Sequence, residues 1–114
     1  MSLDKAVLDS LVQWRRLVAM VARATKMVVP EAEVYVVGGA AEKRLTILSD
    51  IDVVIALPKE LDYENAVELK AKIFEKAEEL GLPPHAPVEL HIVGPQSIRR
   101  FLVRGKALRI DVGS

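Results

Sequence analysis

The 114-residue chain has no cysteine and only two histidines. The absence of cysteine excludes disulfides and thiolate metal sites, and two histidines are too few for the usual zinc sites. No apolar run approaches the ~20 residues that a membrane-spanning helix needs. The first ten residues carry acidic side chains where a signal peptide would have basic ones. We therefore expect a cytoplasmic protein.

A net charge is also missing, because 16 basic side chains balance 16 acidic ones. Binding to nucleic acid without sequence preference needs a concentrated basic field, so this balance argues against direct nucleic-acid binding. A basic cluster does lie near the C-terminus. It is interpreted as a solvated or partner-facing surface, or as a contact for a phosphate-rich ligand. It comprises Arg99, Arg100, Arg104, Lys106 and Arg109. The length suits one domain, residues 1–114.

Helix and strand patterns alternate along the chain. Apolar residues spaced by three and four predict an amphipathic helix up to about residue 27, and its wide apolar arc suits either a buried helix or a contact with a second chain. A second helix is predicted over 63–80, capped by Asp62 and stopped by Gly81. Its inward face is predicted to carry Val67, Ala71, Phe74 and Ala77, joined by Leu69, Ile73 and Leu80. Strands are predicted over 33–37, 51–57 and 88–93, followed by a short helix to residue 104 and an edge strand over 107–112.

Two carboxylates interrupt the apolar strand that begins near residue 51. Residues i and i+2 of a strand point to the same face, so Asp50 and Asp52 should stand side by side, with their Cα atoms roughly 6–7 Å apart. Two anions held this close favour a cation between them, and Mg²⁺ takes oxygen ligands of this kind. The alternative is that both carboxylates are solvated where the strand starts.

A glycine pair, Gly38 and Gly39, follows the first predicted strand. Glycine lets the backbone approach a ligand closely. If residues 40–44 form a short helix, its free N–H groups make an anion site. Lys43 and Arg44 follow and suit contacts with phosphate oxygens, although an exposed charged turn explains them equally well. A simple hairpin turn is the alternative for the glycines.

The order of these motifs resembles the nucleotidyltransferase superfamily that includes DNA polymerase beta. Gly38 and Gly39 end a strand, a ten-residue spacer ends in Ser49, and Asp50 and Asp52 open the next strand. The minimal nucleotidyltransferases, which use this spacer and lack appended domains, are the most similar members. The resemblance implies an α+β nucleotidyltransferase fold, a small mixed sheet covered by helices in the order α-β-α-β-α-β-α. Gly39 departs from the family pattern, which has serine there.

The resemblance also implies a third carboxylate, and Glu89 is the only acidic residue of the third predicted strand. Asp50, Asp52 and Glu89 would then be the catalytic residues and the ligands of two Mg²⁺ ions. The nucleotide would be held by Gly38, Gly39, Lys43, Arg44 and Ser49. His91 shares a strand face with Glu89, as a polar neighbour of the site or a solvated residue, and His85 is expected at the surface.

From this resemblance we expect a Mg²⁺-dependent enzyme that transfers a nucleoside monophosphate from a triphosphate, ATP in the first instance, to an acceptor hydroxyl. Minimal members are often paired with a separate HEPN-type helical protein in toxin–antitoxin systems, so a partner in trans is also expected. Because Gly39 replaces serine, a second hypothesis is a weak or inactive binding module, an antitoxin that neutralises such a partner. A nucleotide-sensing subunit is a third, and a homo-oligomer through the first helix is a further alternative.

Overall fold

Three helices and four strands make up the part of the chain that the computed structural model describes, residues 5–37, 50–103 and 107–111. The elements in order are α1 (Lys5–Val28), β1 (Glu33–Val37), β2 (Ile51–Ala56), α2 (Tyr63–Glu79), β3 (Val88–Val93), α3 (Pro95–Val103) and β4 (Ala107–Ile110). The predicted order of these elements is confirmed, with bounds that differ by a residue or two. The short helix predicted over 40–44 lies outside the described residues.

The four strands form one mixed sheet in the order β3-β2-β1-β4. β1 runs antiparallel to both β2 and β4, whereas β2 and β3 are parallel. Parallel neighbours need a crossover connection, and α2 provides it between β2 and β3. The mixed sheet implied by the family resemblance is therefore confirmed, and β4 lies at the sheet edge as predicted.

Helices cover the two faces of the sheet unequally. One face packs against α1 and α2 and carries the main core, to which the strands contribute Val34, Val36, Ile51, Val53, Ile55 and Leu90. The opposite face has a smaller apolar cluster of Val37, Val54 and Val93, against which Ile98 of α3 packs. We call this second face the α3 face. β2 is buried on both faces, which explains its nearly continuous β-branched sequence.

Both predicted ends of α2 are confirmed. The backbone N–H of Asn65 donates to Asp62 Oδ1 over 2.8 Å, which satisfies one of the free N–H groups of the first turn. After the helix, Gly81 adopts a φ of 115°, a left-handed conformation that glycine reaches without the strain of a side chain.

The orientation predicted for α2 is wrong in part. Ile73 and Ala77 are buried, but Ala71 is exposed and the Val67 side chain is 48% exposed. Val67 lies roughly 120° around the helix axis from Ile73, so both cannot face the core. The inward stripe is therefore centred on Ile73, one of the predicted inward residues, and excludes Val67 and Ala71.

The middle of α1 belongs to the protein's own core. Trp14, Leu17, Val18 and Val21 are all buried against the sheet and α2. A contact with a second chain is therefore not needed to account for this part of the wide apolar arc. Among the described residues, no helix combines the length and apolar character needed to cross a membrane.

Candidate functional site

Asp52, Glu89 and His91 meet on the α3 face of the sheet. In the parallel pairing of β2 with β3, Asp52 stands opposite Glu89 and Val54 stands opposite His91. Paired residues point to the same face, so the three polar side chains gather where the two neighbouring strands begin. The apolar residues between them point to the other face, into the core under α1 and α2.

The side chains of this cluster are close enough to bind one metal ion together. One donor atom from each of Asp52, Glu89 and His91 lies within 4.8 Å of the others. His91 Nε2 is 3.1 Å from Asp52 Oδ1. The Asp52 side chain is 37% exposed and the His91 side chain 29%, and Glu89 is exposed, so the cluster is open to solvent. Two carboxylates and an imidazole are donors that fit a divalent metal ion.

Asp50 is described but does not belong to this group of donor atoms. It is exposed and lies one residue before β2, which begins at Ile51. The predicted side-by-side arrangement with Asp52 assumed strand geometry at both positions. The role of Asp50 as a metal ligand stays a prediction.

The predicted phosphate-binding residues, Gly38, Gly39, Lys43, Arg44 and Ser49, lie outside the described residues. Their roles also stay predictions. The residue that precedes them is well placed, because Val37 at the end of β1 pairs with Asp52. The chain therefore leaves β1 beside the polar cluster, and Gly38 follows directly in the sequence.

His91 was predicted only as a polar neighbour of the site or a solvated residue. Its contact with Asp52 confirms that it borders the candidate site. The available signal was its position two residues after Glu89 on the same strand, which places both on one face. His85 is exposed in the connection between α2 and β3, as expected.

A second polar group occupies the other end of the α3 face. Tyr35 Oη donates a hydrogen bond to Glu33 Oε2 over 2.7 Å. This bond, followed by burial, raises the pKa of the Tyr35 phenol above its ordinary value of 10.0. Arg109 of β4 lies 3.8 Å from the Glu33 carboxylate and 3.3 Å from that of Asp111.

The hydrogen bond of Tyr35 predicts a pH effect at alkaline pH. A raised pKa favours the protonated phenol in the folded state, so the stabilisation is complete below pH 10.0 and is lost as the pH rises through the folded-state pKa. An ultraviolet titration of tyrosinate in the Tyr63→Phe protein, which leaves Tyr35 as the sole tyrosine, measures that pKa. Adding Glu33→Gln should lower the midpoint. Equal midpoints would show that Glu33 does not control this phenol.

The chain is similar to nucleotidyltransferases both in sequence and in fold. A family model described as "Nucleotidyltransferase domain" matches residues 18–108. A solved structure of a provisionally named nucleotidyltransferase from Sulfolobus solfataricus is similar over 95% of this chain and 89% of its own, with a TM-score of 0.72 and 18% identity. That identity supports the fold alone. A second provisionally named nucleotidyltransferase has 30% identity and a TM-score of 0.52 over 78% of this chain and 91% of its own. No curated protein matched the chain.

Proposed function

Because this chain belongs to the nucleotidyltransferase domain family, we propose that it transfers a nucleoside monophosphate from a nucleoside triphosphate, ATP in the first instance, to an acceptor hydroxyl. Pyrophosphate is the second product. The observation that carries the proposal is the register that sets Asp52 opposite Glu89 within the matched region. This register brings together two carboxylates from strands joined by a long crossover, as a metal-dependent phosphoryl-transfer site requires.

Asp50, Asp52 and Glu89 are the residues that would hold the divalent ions, two Mg²⁺ in the simplest case. Ions bound there would neutralise charge on the phosphates and stabilise the attacking and leaving oxygens of an in-line displacement. Asp52 would be the central ligand, because it is paired with Glu89 across the two strands and its Oδ1 is 3.1 Å from His91 Nε2. Glu89 is exposed, which leaves room for an acceptor hydroxyl on its side of the cluster.

The triphosphate would lie where the chain leaves β1. Backbone N–H groups after Gly38 and Gly39 would donate to its oxygens, and Ser49 would add a hydroxyl. Lys43 supplies a point charge and Arg44 a planar fork for phosphate oxygens. The protein's contribution is therefore position and charge stabilisation, with no covalent intermediate on the chain.

The replacement of the family's serine by Gly39 favours a second candidate function. Here the chain binds nucleotide weakly and acts as an antitoxin that masks a HEPN-type helical partner. Loss of one hydroxyl at a phosphate-binding turn removes a hydrogen bond to a charged oxygen, worth roughly 1.5–3 kcal/mol. Such a loss slows transfer by about ten- to a hundredfold without requiring any change of fold.

Gly39→Ser tests the two candidate functions against each other. We expect the substitution to tighten binding of nucleoside triphosphate and to raise transfer by about ten- to a hundredfold, because the added hydroxyl supplies the missing hydrogen bond. Calorimetry with each triphosphate, with and without Mg²⁺, measures binding. Transfer of radiolabel to a candidate helical partner measures activity. Gly39→Ala is the matched control, since it adds the Cβ without the hydroxyl.

The outcome of this experiment separates the candidates. If Gly39→Ser gains activity and Gly39→Ala does not, the hydroxyl and the transferase function are supported together. If Gly39→Ser folds normally, yet neither it nor the wild type binds or transfers nucleotide, the transferase proposal fails. Binding of the partner without any transfer would then support the antitoxin function.

A further inference from the structure

We propose that His91 is a direct metal ligand of the site and that its imidazole gives the site a preference for Mn²⁺ and similar transition ions over Mg²⁺. The inference rests on the proposed function, because it concerns the divalent ion that this function needs. It goes beyond that function by assigning a nitrogen ligand to a site for which only carboxylates were predicted.

The spacing of the donor atoms fits one octahedral ion. Neighbouring ligands of an ion with bonds of about 2.1 Å are separated by about 3.0 Å, since their bonds meet at a right angle. His91 Nε2 and Asp52 Oδ1 are 3.1 Å apart. Opposite ligands of such an ion are about 4.2 Å apart, so donor atoms that lie within 4.8 Å of one another must move slightly closer to bind one ion. Small rotations of the exposed Glu89 side chain would complete the geometry.

The position of His91 on β3 directs its imidazole toward the same side of the sheet as the two carboxylates. His91 follows Glu89 by two residues, so the strand presents the imidazole and the carboxylate on the same face toward Asp52. The His91 side chain remains 29% exposed, which leaves an entry path for an ion. Ligation through Nε2 requires the proton of the neutral ring to sit on Nδ1.

The chemistry of the donor set determines which ion is preferred. Mg²⁺ is a hard ion that selects oxygen ligands and keeps several waters. Imidazole nitrogen binds first-row transition ions more strongly, and affinity for such sites rises from Mn²⁺ towards Co²⁺ and beyond. Two carboxylates with one imidazole therefore still accept Mg²⁺, while the nitrogen strengthens binding of Mn²⁺ and Co²⁺ selectively.

A competing explanation gives His91 a purely orienting role. In that case Nε2–H donates to Asp52 and the ion is held by carboxylates alone. Loss of an orienting partner weakens metal binding in general, often by about 10- to 100-fold. A weaker affinity alone is therefore not diagnostic. The ratio of Mn²⁺ to Mg²⁺ affinity separates a ligand from an orienting neighbour.

His91→Gln is the test variant, because glutamine keeps a polar side chain that can hydrogen-bond Asp52 but is a poor ligand for transition ions. His85→Gln is the matched control, since His85 is the only other histidine and is exposed in a connection. Calorimetry with Mn²⁺ and with Mg²⁺, without nucleotide and at one fixed pH, gives both affinities. Electron spin-echo spectroscopy of bound Mn²⁺ reports coupling to a ligating nitrogen.

We expect His91→Gln to lower the Mn²⁺ affinity about tenfold or more while changing the Mg²⁺ affinity by about threefold or less. The nitrogen coupling should be present in the wild type and in His85→Gln and absent in His91→Gln. Urea unfolding without metal checks that all three proteins fold.

Two results would overturn the inference. If both ions bind but the affinity ratio is the same in the wild type and His91→Gln, or if no nitrogen coupling is seen, His91 only orients Asp52 and the proposed function stands. If the wild type binds neither Mn²⁺ nor Mg²⁺, with or without nucleoside triphosphate, the inference fails together with the metal-dependent part of the proposed function.

Discussion

We expect Asp52→Asn to remove divalent metal binding and to lower nucleotidyl transfer by about a hundredfold or more. The expected size follows from the place of this carboxylate, opposite Glu89 in the strand pairing and with Oδ1 3.1 Å from His91 Nε2. Neutralising it takes away a charged ligand at the point where the phosphate charge must be balanced in the transition state. Titration with Mn²⁺ and radiolabel transfer measure the two effects.

Two further variants make this result specific. Asp62→Asn is a matched control, because asparagine caps a helix as well as aspartate does, and it should leave metal affinity unchanged. Asp50→Asn tests the other predicted ligand in the same assay. Without metal, Asp52→Asn should be at least as stable as the wild type, since it relieves repulsion with Glu89. Wild-type metal affinity in Asp52→Asn would disprove the metal site.

We expect Ile73→Ala to lower the free energy of unfolding by about 2–5 kcal/mol. The Ile73 side chain is fully buried where α2 meets the core, so truncation removes apolar burial and leaves a cavity. Val67→Ala, on the same helix, should change stability by only about 0.5 kcal/mol, because its side chain is 48% exposed and alanine is a good helix former. Urea denaturation of the two variants measures both values.

The comparison of these two variants decides how α2 is oriented. A large loss at Ile73 with little change at Val67 supports the observed orientation, whereas similar losses at both would restore the orientation predicted from the sequence. Metal affinity should be unchanged in the folded fraction of each variant, because neither side chain belongs to the polar cluster on the α3 face.

The sequence predicted the elements well because their signals are local. Caps such as Asp62, the glycine stop and the apolar periodicity all act within one or two turns. The orientation of α2 was not predictable in this way. The helix carries apolar residues around much of its circumference, and the part that becomes buried depends on where α1 lies across the sheet. That placement is a tertiary effect.

For the candidate site, the residues could be predicted from the sequence, but their arrangement in space could not. Residue types and spacing identified Asp52, whereas only the family resemblance pointed to Glu89 and to its strand as a neighbour of β2. The parallel register then set Asp52 opposite Glu89. Periodicity placed His91 on the same face as Glu89. It could not predict the distance from His91 to Asp52, because the register between two strands is not encoded within either strand alone.

The register between β2 and β3 also bears on how faithfully the protein folds. If β3 shifted by one residue against β2, its side chains would exchange faces. Glu89 and His91 would then point into the core beneath α1 and α2, and burying such groups without partners costs several kcal/mol. Misaligned pairing is therefore penalised by the same side chains that form the polar cluster. Glu89 and His91, proposed above to bind a metal ion, therefore also favour the correct register of β3 against β2.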